Sequence, residues 1–170
     1  MPGDLHELER CFKTKQCIVF QGDNNPDGHS TTDTSAWFEY SFANATAGVV
    51  PVKCFKSTRY EPYVVIRNDE HAPRYDENFE GYGKNKIQYI QHLRYKGFQF
   101  SILPAEFIIH YPHPRSTSKK EWLEKRHVHS KVEGHYNNFR SRIQEEHGTK
   151  NLAVRVCKRK KAKGARLLST

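Results

Sequence analysis

A chain of 170 residues with 36% apolar and 12% aromatic side chains has the size and apolar content of one packed domain, which excludes a fibrous or wholly disordered protein. Its formal charge of +9 would point to nucleic acid if it were spread over a face, but seven of the 28 basic residues fall between Arg155 and Thr170, where no acidic residue occurs. That leaves 21 basic against 19 acidic residues elsewhere, which implies a near-neutral domain over residues 1–150, a basic flexible tail over 151–170, and no nucleic-acid partner.

In chain order, Leu5, Leu8 and Phe12 at helical spacing after Pro2 and Asp4 predict a short opening helix, and Gln16–Phe20 a short buried strand. Residues 21–33 gather Gly, Asn, Asp, Pro and Ser, the composition of a surface loop. An aromatic stretch from Trp37 to Phe42 follows, then a strand over Val49–Phe55 whose Pro51 places it at an edge. Tyr63–Arg67 is β-branched and reads as a strand, Asp69–Pro73 as a turn, and Tyr75–Lys84 as a glycine-bearing loop. Asn85 opens a helix in which Ile87, Ile90 and Leu93 recur, and Gly97 stops it. Phe98, Phe100 and Ile102 alternate as in a half-buried strand, and Phe107–His110 makes one more. A long final helix is expected over residues 119–146, started by a Ser118/Glu121 capping box, carrying Val128, Val132, Tyr136, Phe139 and Ile143 on one face, and closed by Gly148.

Cys11, Cys17, Cys54 and Cys157 have neither zinc-site nor disulfide-framework spacing, so they do not reveal a compartment. No run approaches a membrane span, and the first residues lack the layout of a signal peptide.

Two segments carry chemistry. In Tyr75–Lys86, Asp76, Glu77 and Glu80 lie in a loop that leads into a helix; Gly81 and Gly83 allow close backbone approach, and Tyr82 offers a flat face for a sugar ring. A carboxylate held there could accept the proton of an attacking hydroxyl, or Asp76 could cap a turn while Asn85 caps the helix. In Phe107–His113 an apolar run delivers His110, which could be a rim residue or a neutral-imidazole metal ligand. In an extended strand His110 and His113 point to opposite faces, so they are not expected to bind one ion together. His127, His129, His135 and His147 match no ligand spacing, and no Walker loop, Rossmann fingerprint or nucleophile elbow occurs.

Three blocks, Arg59–Val65, Tyr75–Lys86 and Gly97–Pro104 running into Phe107–His113, together resemble glycosyltransferase family 49, the LARGE-type and β-1,4-glucuronyltransferase family. The weaker His29-x-x-Thr-Asp33-x-x-x-Trp37 extends the likeness upstream. The resemblance implies an α/β architecture, the C-terminal portion of an incomplete GT-A nucleotide-sugar fold with a mixed sheet and flanking helices. It also implies manganese, a UDP-sugar donor, transfer of a hexosyl or glucuronyl unit to a glycan acceptor, and a Golgi enzyme anchored through an N-terminal membrane segment. It places His110 at a metal-histidine position, with His113 as runner-up. Asp76 and Glu77 become candidate bases, and Tyr60, Glu61, Gly81, Tyr82, Gly83, Asn85 and Lys86 candidate substrate-binding residues. The acidic pair of other GT-A families appears as Asn85-Lys86. No Asp-x-Asp occurs, so the expectation is a form lacking the donor and metal half, with little or no transfer by these 170 residues alone, or else a non-catalytic carbohydrate-binding member.

Overall fold

Asp4 caps the first helix, its carboxylate accepting the Glu7 amide, and α1 runs Leu5–Lys13 with Leu8 buried. The structure, a computed structural model, describes residues 1–20, 25–43, 48–150 and 152–158. The expected strand at Gln16–Phe20 does not form. Lys15 takes a left-handed φ of 58°, the amides of Gln16 and Cys17 turn back onto the Cys11 carbonyl, and a Cys11–Cys17 disulfide closes the reversal. The backbone groups a ladder would need are therefore spent on the end of α1. Residues 21–24 of the expected loop lie outside the described residues; the next segment holds a 3₁₀ turn, Pro26–Gly28. The aromatic stretch is helical, α2 (Thr34–Ala43), and Trp37 donates from its indole to the Leu103 carbonyl.

Strand structure is limited to two short ladders among the described residues. β1 (Val50–Pro51) pairs antiparallel with β3 (Ser101–Ile102), while β2 (Cys54–Phe55) pairs parallel with β4 (Arg155–Val156). Neither Tyr63–Arg67 nor Phe107–His110 joins a ladder, and no single mixed sheet forms among the described residues. The alternation read from the sequence is nevertheless real: Val64 and Ile66 pack against the core while Tyr63, Val65 and Arg67 face solvent. Apolar periodicity determines which side chains turn inward, but a strand also needs a neighbouring edge in register, and these segments have none among the described residues.

α3 (Asn85–Tyr95) is the centre of the molecule. It buries Ile90 and Leu93 with Phe55, Tyr60 and Val154 on one side, and Ile87 with Phe79, Tyr136, Phe139 and Ile143 on the other. Its end is a Schellman closure: the Phe98 amide donates to the Leu93 carbonyl and the Gly97 amide to that of Arg94, with Gly97 at φ +83°. Asn85 is not its cap. Lys84 holds that position in a left-handed conformation without a side-chain cap bond, and the Asn85 side chain accepts from the Lys86 amide instead.

The long final helix is two helices, α4 (Thr117–Glu124) and α5 (Arg126–His147), separated by an extended Lys125. The cap of α4 is Ser116, accepting the Lys119 amide, rather than a box begun by Ser118. At the elbow the Trp122 and His129 rings stand 4.6 Å apart, a contact two turns of straight helix would prevent. Val132, Tyr136, Phe139 and Ile143 are the buried face of α5, as their spacing requires, and Gly148 ends it at φ +60°.

The body continues past residue 150. Val154 is buried in the α3 core, the Cys157 amide donates to the Phe55 carbonyl, and a Cys54–Cys157 disulfide ties β4 to β2, so the basic extension cannot begin at 151. Residues 159–170 lie outside the described residues. Among the described residues no helix is long and apolar enough to cross a membrane.

Candidate functional site

The Arg59–Val65 block leaves β2 through Tyr60, which is 4% exposed with its ring edge-on to Phe55 and its hydroxyl 2.9 Å from that of Thr32. Burial raises the pKa of this phenol, with the Thr32 contact opposing. Tyr60 is thus a core anchor that fixes the direction of Glu61, not a surface on which a ligand can lie. Glu61 donates its amide to the Gly28 carbonyl, accepts the Asn25 side-chain amide at 2.8 Å, and lies 3.7 Å from the Lys86 ammonium. Lys86, in the first turn of α3, also lies over the Tyr63 ring at 4.9 Å and the Phe20 ring at 5.9 Å, within the range of a cation–π attraction.

The same Phe20 ring touches His110 at 4.4 Å between centroids and reaches His29 at 6.0 Å. His113 stands 5.0 Å from His110. These two imidazoles therefore share a side rather than pointing to opposite faces. The segment is not a strand, and Pro112 and Pro114 favour polyproline II backbone, whose period of three brings residues i and i+3 onto one face. His29 is held below its ordinary pKa, chiefly by burial; Glu61 pulls it up and Lys86 pushes it down. One carboxylate, one ammonium, three imidazoles and two aromatic faces thus meet around Phe20.

The glycine loop faces elsewhere. Asp76 spends both carboxylate oxygens within the fold, Oδ1 accepting the Asn78 amide and side chain and Oδ2 pairing with Arg142 at 2.9 Å. Glu77 is exposed beside it. Gly81 and Gly83 take φ of +76° and +110°; a Cβ on Gly83 would stand 3.0 Å from the Trp122 indole nitrogen, so the backbone there is packed against α4, whereas Gly81 is exposed and meets only the Ser118 side chain, at 3.9 Å. Tyr82 meets Trp122 edge-on at 5.6 Å, and Lys84 pairs with Glu133 on α5 at 2.7 Å. The predicted residues therefore separate into two groups. Glu61, Lys86, His110 and His113 converge; Asp76, Glu77, Gly81, Tyr82 and Gly83 line the approach of α4 and α5, with Asn85 between the groups.

Phe20 and Asn25 entered neither group in the sequence, because one sits in an apparent strand and the other among turn formers. His29 had a signal in the His29-x-x-Thr-Asp33 block. Among the described residues no three of His, Cys, Asp and Glu converge as a metal set, so His110 and His113 do not make a manganese site by themselves.

Residues 1–150 match the family model described as "Glycosyl-transferase for dystroglycan". The mouse xylosyl- and glucuronyltransferase LARGE2 is 36% identical over 115 residues, 68% of this chain and 15% of that protein. The glycosyltransferase-like protein LARGE of Caenorhabditis elegans is 32% identical over 145 residues, 85% of this chain and 21% of that protein. The chain thus spans about a fifth or less of the length of these relatives. Its three blocks lie within the span matched by the family model, and the chain belongs to glycosyltransferase family 49.

Proposed function

We propose that the chain carries the acceptor side of a UDP-sugar-dependent glycosyltransferase, adding a hexosyl or uronyl unit to a glycan. The observation that supports this reading is the meeting of Glu61, Lys86 and His110, from three separate blocks, around Phe20. Transfer joins an acceptor oxygen to the donor's anomeric carbon, breaks the bond from that carbon to the diphosphate, and requires the hydroxyl proton to be taken up. Glu61 is the carboxylate placed to take it, oriented by Asn25 and partly neutralised by Lys86. Asp76, with both oxygens engaged, is a brace for the loop. Lys86 would hold an anionic group on the sugar, and Phe20 and Tyr63 supply faces on which the ring can stack. A bound manganese would supply charge neutralisation at the leaving diphosphate, and His110, with His113 behind it, would offer it one or two nitrogens.

The GT-A fold belongs to this reading, as does a place in the Golgi lumen. Two disulfides with no free cysteine among the described residues support an oxidising compartment. The absence of Asp-x-Asp supports a second reading, a family member that binds glycan without transferring.

The test pairs UDP-xylose or UDP-glucuronate, manganese and a xyloside or glucuronide acceptor with the 170-residue chain, choices suggested by the names of its relatives. Transfer that falls about a hundred-fold or more in Glu61→Gln and persists in Glu77→Gln supports the catalytic reading. Acceptor binding without transfer, weakened in Lys86→Gln, supports the binding reading. With neither transfer nor binding, both are wrong.

A further inference from the structure

A cavity of about 230 Å³ opens between the last turn of α3, Arg140 and Ile143 of α5, Thr149, and Leu152, Arg155 and Val156. Three arginines are among the residues that line it, the buried Arg94 and the exposed Arg140 and Arg155. It is separate from the Glu61 cluster: Arg94 lies eight residues beyond Lys86 on α3, about 12 Å along the helix axis.

Arg94 is unusual in being 3% exposed with no carboxylate acting on it among the described residues. Its Nε donates to the Val154 carbonyl at 3.1 Å and one Nη to the Gln91 side-chain oxygen at 2.8 Å; Gln91 in turn donates to the Thr58 carbonyl. The guanidinium also lies over the Phe55 ring, 4.8 Å from its centroid. Burial holds this guanidinium below its ordinary pKa, with Tyr95 and Tyr136 opposing. No ion pair reaches Arg94, Arg140 or Arg155 among the described residues, whose pairs all lie elsewhere. Of the residues outside the described ones, only Asp23 carries an acidic side chain. A buried cation is ordinarily matched by an opposite charge, and three cations sharing one cavity raise the need for one.

We propose that this cavity is an anion site that takes a small tetrahedral oxyanion, a phosphate or sulfate group, free or esterified to a sugar. Guanidinium forks pair with such groups through parallel hydrogen bonds, and three forks offer more donors than the two oxygens of a carboxylate accept. Thr58, Thr149 and Tyr95 add hydroxyls to the lining. The volume is below the roughly 300–1,000 Å³ of drug-sized sites, so it suits one oxyanion with at most one sugar ring and is too small for a nucleotide. Arg155 is kept at the cavity by the β2–β4 pairing and the Cys54–Cys157 disulfide.

Calorimetric titration of the 170-residue chain at constant ionic strength tests the assignment, using inorganic phosphate, inorganic sulfate, glucose 6-phosphate, glucuronate and glucose. Because Arg94 belongs to the core, the test rests on the exposed pair Arg140→Gln and Arg155→Gln, with Lys120→Gln on α4 as control. The expected result is saturable one-to-one binding of phosphate or sulfate, weakened about ten-fold or more by each arginine change and unaltered by the control. Tighter binding of glucose 6-phosphate than of phosphate supports an esterified group; equal binding supports the free ion. Failure of phosphate, sulfate and the sugar phosphate to saturate at about 10 mM, binding that the arginine changes leave intact, or binding of glucuronate alone would overturn the proposal.

Discussion

At the scale of single residues, His29 and His92 make the fold sensitive to acid. Burial is the main cause of the lowered pKa of each. Lys86 adds to it at His29 against the pull of Glu61; Lys96, His147 and Arg142 add to it at His92 against Glu146. With folded pKa values below the ordinary 6.5, both imidazoles stay neutral in the folded protein at a pH where the unfolded chain has begun to bind protons. Their stabilising contribution is complete above about pH 6.5 and is lost as the pH falls toward the folded values. Urea midpoints should therefore drop between about pH 7.5 and 5.5, and the His29→Asn, His92→Gln double variant should drop less over the same interval. An unchanged slope in that variant would contradict the assignment. Single-residue roles were the least legible part of the sequence. Asp76 in a glycine loop looks like a base until Asn78 and Arg142 occupy its oxygens, and Tyr60 looks like a contact residue until its ring is found against Phe55. Partners 90 and 66 residues apart leave no local pattern: Phe20 approaches His110, and Arg142 approaches Asp76, only because the chain has folded.

At the scale of elements, helices were legible and strands only half so. The α5 face from Val132 to Ile143 and the Gly97 closure of α3 follow from local spacing and chain stereochemistry, which a sequence carries within a few residues. Ladders depend on a distant edge, so Val64 and Ile66 turn inward as their alternation predicts while no strand forms there. The α4–α5 elbow at Lys125 has neither proline nor glycine to mark it. The disulfides were hidden for a similar reason, since pairing follows from approach in space and not from spacing. Their separations of 6 and 103 residues give them unequal weight. Loop-closure entropy assigns about 2 kcal/mol to a six-residue loop and about 4.7 kcal/mol to one of about a hundred. Cys54→Ser with Cys157→Ser should lower stability roughly twice as much as Cys11→Ser with Cys17→Ser, measured by denaturant midpoint with the other bond intact. The opposite order would show that β4 and Val154 are held by packing alone.

At the scale of the whole molecule, family membership was legible because three blocks with fixed order and gaps carry it, whereas the two short ladders were not, because each pairs segments far apart in the sequence. The structure gathers those blocks around α3 and sends the glycine loop to the α4–α5 side. The central claim is that His29, His110 and His113 belong to one ligand site with Lys86 and Glu61. The most direct test follows the imidazole resonances of the chain by NMR while a xyloside or glucuronide acceptor is titrated in. The account predicts that His29, His110 and His113 shift together with one saturating concentration, that Lys86→Gln abolishes all three shifts, and that His127 and His135 on α5 stay still. Shifts confined to the α5 histidines, or His110 responding without His29, would contradict it.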